Sequence, residues 1–150
     1  MSKKEKAKED LLKSPKRAKY IWAIIINLII LYIVNNLQNW HFPILTDSWV
    51  ACLWILNISL VATILANIIW LCYGASWIRA LLRIGLNIIA FVFIYVLYKI
   101  FPLDFSGLGG NTTSIIIKII LIIGLIGLVI AVVVNLFQLL FAITSPKTSE

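Results

Sequence analysis

The fold is decided by residues 115–134, which read IIIKIILIIGLIGLVIAVVV. They belong to an apolar segment that extends from about Ser114 to Ile143. A bilayer core of about 30 Å needs about 20 mostly apolar residues in a helix, and this segment exceeds that length. It is continuous and lacks the period-two alternation of a membrane-barrel strand, so it predicts a transmembrane helix.

Three further segments have the same character. Of the 150 residues, 62% are hydrophobic and 13% are charged, a balance that excludes an ordinary globular domain. Mean hydropathy is +1.03. The sequence therefore predicts an all-α integral membrane protein, a four-transmembrane-helix bundle occupying residues 20–143. The approximate spans are 20–37, 48–72, 77–101 and 114–143.

Positive charge is concentrated before the first span. Residues 1–19 hold eight of the 13 basic residues beside three acidic ones. Because this cluster abuts an apolar segment, it indicates a juxtamembrane tail and not a nucleic-acid-binding protein. The tail has too little apolar content to fold alone, so we expect it to be disordered and attracted to anionic lipid headgroups.

The basic residues also predict orientation. The tail, the second turn (Arg79 and Arg83) and Lys147 place eleven basic residues on one side, whereas Lys99 and Lys118 place two on the other. We expect the chain to lie in the plasma membrane. The positive-inside rule then places both termini in the cytoplasm, so that residues 144–150 form a short cytoplasmic tail. The first span lacks a small-residue cleavage pattern and is expected to remain as an anchor.

The two outer loops resemble each other. Phe-Pro-Ile at 42–44 precedes an Asp-Ser pair, and Phe-Pro-Leu at 101–103, which lies 59 residues further on, precedes Asp-Phe-Ser. Two related helical hairpins would explain the similarity. Proline after a helix and Asp or Ser before the next helix are also common without duplication, so both explanations stay open.

Polar residues inside the spans share one depth. Counted from the cytoplasmic end of each span, five of them lie roughly 7–12 Å into the core. They are Asn27, Asn67, Arg83, Asn135 and Gln138. One interpretation is interhelical hydrogen bonding with Arg83 extended to the headgroups; the other is a small polar cavity that holds an anionic lipid head. We expect Arg83 to point inward and bond an amide, and Arg79 to reach the lipid surface.

Small residues mark the helix-packing faces. Membrane helices associate through small side chains that permit close approach, and these recur at steps of three and four. The predicted face comprises Gly124, Gly127 and Ala131 on the fourth helix, and Ser59, Ala62 and Ala66 on the second. On the fourth helix, the small residues share one continuous stripe with Asn135 and Gln138.

Candidate chemistry is sparse. No Asp or Glu lies within a span, and His41 has no second metal ligand nearby in sequence. We find no catalytic, cofactor or metal motif. The sequence predicts a non-enzymatic membrane-embedded interaction, sensor or assembly component whose partner is another membrane protein or a second copy. The alternative is a small transporter or lipid-handling protein that acts as a homo-oligomer.

Overall fold

The computed structural model of the chain describes residues 15–73, 75–107 and 109–144. They form four helices, α1 (Pro15–Asn36), α2 (Trp49–Cys72), α3 (Ser76–Ile100) and α4 (Gly110–Thr144). All four are long and apolar enough to cross a membrane. The prediction of an all-helical chain is therefore confirmed for the part of the chain that the structure describes, and its four helices have the length and composition that a membrane span needs.

Helix ends agree with the sequence most closely in the middle of the chain, where α2 and α3 begin and end within one residue of the predicted spans. The first helix begins at Pro15, so the last residues of the predicted tail are helical. The remainder of the predicted tail, 1–14, and the segment 145–150 lie outside the described residues.

The helices alternate in direction. Residues 73–75 connect α2 to α3 at one end of the molecule, which we call the turn end. Residues 37–48 and 101–109 connect the other pairs at the opposite end, the loop end. The rings of Tyr20 and Trp70, with centroids 5.8 Å apart, hold the start of α1 beside the end of α2. Each hairpin is thus antiparallel.

Contacts between helices follow chain order. Cα atoms approach within 8 Å between α1 and α2, α2 and α3, and α3 and α4, and no other pair of the described helices does so. The helices therefore form an open series and not the closed, compact bundle that their polar faces suggested. Lipid chains solvate Ile, Leu and Val as well as a helix does, so apolar surface alone does not draw α1 towards α4.

The two connections at the loop end pair with each other. Leu45 and Leu103 form an antiparallel bridge, flanked by main-chain hydrogen bonds of 3.1 and 2.8 Å. Pro102 beside it is completely buried. We call residues 44–46 and 102–104 the loop clasp. It joins the α1–α2 hairpin to the α3–α4 hairpin at the end opposite the turn. Whether the hairpins arose by duplication stays a prediction.

Candidate functional site at the turn end

The five polar residues predicted at one depth differ in exposure. Asn67 and Asn135 are buried, with 4% and 8% of their surface exposed. Asn27 is half-buried, whereas Arg83 and Gln138 are exposed. The structure therefore places two amides inside the helix series and leaves the cation and the glutamine at its surface.

The three asparagines satisfy their donors locally. Asn27, Asn67 and Asn135 each donate from Nδ2 to the main-chain carbonyl four residues earlier in the same helix, at 2.7 Å. Such back-bonding lets an amide sit in an apolar span without a partner on another helix. These donors therefore do not form the interhelical network that the shared depth suggested.

Arg83 and Gln138 do come together. They line a cleft of about 240 Å³ between the start of α3 and the end of α4, which we call the arginine cleft. Its lining residues are Ser76, Arg79, Ala80, Arg83, Gln138 and Ala142. Asn27 is not part of this site, because α1 contacts only α2 among the described helices. The predicted polar layer is thus divided, and its cationic part lies between α3 and α4.

The exposure of the two arginines is the reverse of the one expected from the sequence. Arg79 is half-buried, and Arg83 is the exposed one. Within the described residues, Arg83 makes no hydrogen bond or ion pair, so the expected bond to an amide is not present. The long arginine stem lets the guanidinium reach the surface while its methylene groups stay on the helix, which removes the need for an internal partner.

Acidic residues are remote from the arginine cleft. The carboxylates in the described part of the chain are Asp47 and Asp104, and both lie at the loop end. The 25 residues of α3 separate the two ends by about 37 Å at 1.5 Å per residue. Neither carboxylate can neutralise the charge of the cleft at that distance.

Only part of the predicted packing face of α4 contacts another helix. A Cβ atom added at Gly124 would lie 3.6 Å from Ile94 Cδ1, so this glycine packs on α3. Gly127 has no neighbour within 4 Å of such an atom and is exposed, while Ala131 is half-buried. On α2 the predicted face is buried or half-buried at Ala66, Ser59 and Ala62.

One interhelical polar contact was missed at the sequence level. Asn35 of α1 and Asn57 of α2 exchange hydrogen bonds, with Asn35 Nδ2 donating to Asn57 Oδ1 at 2.7 Å and Asn57 Nδ2 donating to Asn35 Oδ1 at 3.0 Å. The available signal was an amide in each of two successive apolar spans. It was overlooked because the pair lies nearer the loop end than the other polar residues.

The loop end has a cavity of its own. Its volume is about 440 Å³, and both His41 and Asp47 line it together with Phe42 and Thr46. Among the described residues, no group of three His, Cys, Asp or Glu side chains could hold a metal ion. His41 and Asp47 are therefore two polar groups of a loop surface, without the further ligands that a metal site needs.

Comparison with known proteins gives no match: no family model fits the chain, and neither a curated protein nor a solved structure is significantly similar to it. The function therefore has to be inferred from the chemistry of its own surfaces. Two of these stand out, the open edge of α4 and the arginine cleft.

Proposed function

We propose that this chain is a non-enzymatic, multi-pass protein of a cytoplasmic membrane that acts as an interaction or assembly component. The observation that carries the proposal is the open helix series. Among the described helices, α1 and α4 each contact a single neighbour. A protein whose outermost helices have a free side is suited to packing against further membrane helices.

Gly127 gives this edge a specific character. It is exposed on α4 and has open space where a side chain would project. A glycine facing lipid leaves backbone uncovered and fills no volume, so it contributes nothing to solvation by lipid chains. Against another helix, the same glycine permits close approach, which is the main source of packing energy in membranes. A second copy of the chain is the partner we propose for this edge.

The distribution of basic residues supports the orientation. Of the 13 Lys and Arg residues, five lie in α1 and α3 near the turn end, and six more precede α1 or follow α4 in the sequence. By the positive-inside rule, the turn end is the cytoplasmic end. Anionic lipid headgroups are then the surface that the basic residues before α1 meet.

Self-association can be tested on the full chain. Single-molecule photobleaching of the labelled protein in lipid vesicles counts the copies per complex. We expect complexes larger than a monomer for the unchanged chain and a shift to monomers for Gly127→Leu, because the added side chain prevents close approach. Gly85→Leu is the matched control, since Gly85 is equally open but lies on α3, which already has two neighbours.

Two results would contradict the proposal. A chain that is monomeric at all protein-to-lipid ratios has no self-association to explain. Equal loss of association in both glycine variants would show that α4 is not the contact edge.

A second candidate function is lipid handling. The arginine cleft favours it, because two cationic side chains lie in one cavity between membrane helices. A transporter would in addition need a polar passage that reaches both ends of the molecule. Of the two alternatives to an assembly role, lipid handling is therefore the one that a specific feature supports.

A further inference from the structure

The arginine cleft is lined by residues that recognise phosphate. A guanidinium presents parallel N–H donors whose spacing matches two phosphate oxygens, and such charge-assisted pairs are stronger than neutral hydrogen bonds. Arg79 and Arg83 are four residues apart on α3, so their side chains share one helix face. Gln138 adds an amide donor from α4. The cavity thus receives donors from both helices.

We propose that the arginine cleft binds the phosphate of an anionic phospholipid from the leaflet at the turn end. This deepens the second candidate function and does not depend on self-association. The ligand is a lipid whose headgroup carries net negative charge, and Arg83 is the residue that contacts its phosphate.

The charge and position of Arg83 favour such a partner. It lies seven residues inside α3, about 10 Å along the helix from Ser76. A cation at that depth persists when it reaches the interface or pairs with an anion. Within the described chain Arg83 has no ion pair, and the two described carboxylates are at the loop end. The phosphates of the adjacent leaflet are the anions available at this depth.

A second cavity between α3 and α4 is an apolar groove. It has a volume of about 190 Å³, lies between the same two helices and is entirely aliphatic or aromatic. Its α3 residues, Ile88 and Phe91, follow Arg83 by five and eight positions, and Val132 and Val133 precede Gln138 by six and five. The groove is therefore about one to two helical turns deeper than the cleft. At about 3.6 residues per turn, Ile88 lies about 140° around α3 from Arg83, and Val133 lies about 140° around α4 from Gln138, so the groove and the cleft are on different faces of the helix pair. The acyl chains of a lipid whose phosphate is in the cleft therefore lie in the bilayer and not in this groove.

The size of the cleft agrees with this ligand. A cavity of about 240 Å³ is below the usual range for a drug-sized molecule, roughly 300–1,000 Å³. It is large enough for a phosphate and the first atoms of its substituents. The rest of the lipid would remain in the bilayer, so only part of it needs to be enclosed.

Native mass spectrometry of the full chain in detergent micelles can test the site. Titration with phosphatidylglycerol gives a dissociation constant, and phosphatidylcholine serves as the neutral lipid. We expect Arg83→Gln to weaken phosphatidylglycerol binding about tenfold, the loss anticipated for one charge-assisted contact, with phosphatidylcholine unaffected.

Lys99→Gln is the matched control. It removes one exposed cation from the same helix at the loop end, where Lys99 lies over the Tyr95 ring at 5.8 Å. The same net charge is lost, so an effect of overall charge would appear in both variants. Gln138→Leu is the second test variant, because it removes a donor from α4 and retains both arginines. Circular dichroism of each variant checks that its helices are intact.

Three outcomes would overturn the inference. The first is equal affinity for the anionic and the neutral lipid. The second is equal weakening by Arg83→Gln and Lys99→Gln. The third is binding of inorganic phosphate or glycerol 3-phosphate with the affinity of the lipid, which would make the cleft a phosphate site that does not need the acyl chains. The inference is supported if Arg83→Gln and Gln138→Leu weaken the binding of phosphatidylglycerol, Lys99→Gln does not, and the binding of phosphatidylcholine is unchanged in all three variants.

Discussion

Asparagine plays two different roles in these spans. Where the amide donates to a carbonyl four residues earlier, as in Asn67, the residue is satisfied by its own helix. Asn35 does this too, donating to Leu31 O at 2.8 Å, but it also exchanges hydrogen bonds with Asn57. Its amide therefore ties α1 to α2 while remaining bonded within α1.

The Asn35–Asn57 pair should show measurable coupling. Asn57→Leu removes both interhelical bonds and leaves Asn35 with its bond to Leu31. We expect each single Leu variant to lose stability and the double variant to lose less than the sum. The coupling should be about 0.6 kcal/mol, the average for hydrogen bonds between membrane helices. Unfolding in mixed micelles, analysed as a double-mutant cycle, measures it.

Asn36 provides the control for this cycle. It is the next residue on α1 and donates to Tyr32 O at 2.8 Å, but it has no described bond to α2. The cycle of Asn36→Leu with Asn57→Leu should therefore be additive. Coupling of equal size in both cycles would mean that the interaction is not carried by the amide pair.

These residues show where sequence reasoning stops. That Asn27 and Asn135 are polar groups in apolar spans is evident from the sequence, and so is their depth. Their hydrogen-bond partners are not, because an amide can bond to its own helix or to another one, and the choice depends on how each helix is rotated. The same rotation decides that Asn35 meets Asn57 and that Arg83 is more exposed than Arg79.

The loop clasp is the contact that links the two hairpins at the loop end. Thr46 N–H donates to Pro102 O at 3.1 Å, and Asp104 N–H donates to Ile44 O at 2.8 Å. Phe101, which precedes Pro102, adopts a left-handed conformation with φ of 44°. Lys118 Nζ of α4 lies 4.6 Å from the centroid of the Phe101 ring. The similar Phe-Pro motifs of the two loops were visible in the sequence, but their pairing was not, since it depends on the arrangement of the helices below.

The clasp can be trapped by a disulfide. Leu45 and Leu103 face each other between the two flanking hydrogen bonds, a position where Cα atoms in antiparallel pairs are about 4.5 Å apart. That separation suits a disulfide. We expect Leu45→Cys with Leu103→Cys, in a Cys72→Ser background, to oxidise readily and to stabilise the chain by about 2–4 kcal/mol. Thiol counting by mass spectrometry detects the bond.

A cysteine pair outside the bridge serves as the comparison. Asn39→Cys with Leu103→Cys keeps one member and moves the other to an exposed position of the first loop. It should oxidise slowly or not at all. Equal oxidation of the two pairs would indicate that the loops move freely and that the clasp does not hold them.

For the molecule as a whole, the number of helices and the bounds of α2 and α3 follow from hydropathy, whereas the open arrangement of the helices does not. Small and polar faces on every helix suggested a compact bundle, but Gly124 packs on α3 while Gly127 three residues later faces outward. One stripe of small residues thus contains a glycine that packs on α3 and a glycine that is exposed. The rotation of each helix, which the sequence does not specify, decides which part of the stripe packs within the chain and which part stays exposed.

The fold places both loops at one end and makes the topology testable with single cysteines. We expect Asn39→Cys and Ser106→Cys, each in a Cys72→Ser background, to react with an impermeant maleimide in intact cells. Both positions are exposed in the loops, and Cys52 is fully buried, so it should add no background. Gly109 is unsuitable, because its φ of 93° and a Thr113 oxygen 2.9 Å from an added Cβ would strain a cysteine there.

The native Cys72 reports the opposite end. It is exposed at the end of α2, next to the turn, and should react only after the cells are permeabilised. This expectation follows from the excess of Lys and Arg at the turn end, which the positive-inside rule assigns to the cytoplasm. Labelling of Cys72 in intact cells, with both loop cysteines protected, would reverse the orientation. The arginine cleft would then face the outer leaflet, and the lipid that it binds would have to come from that side.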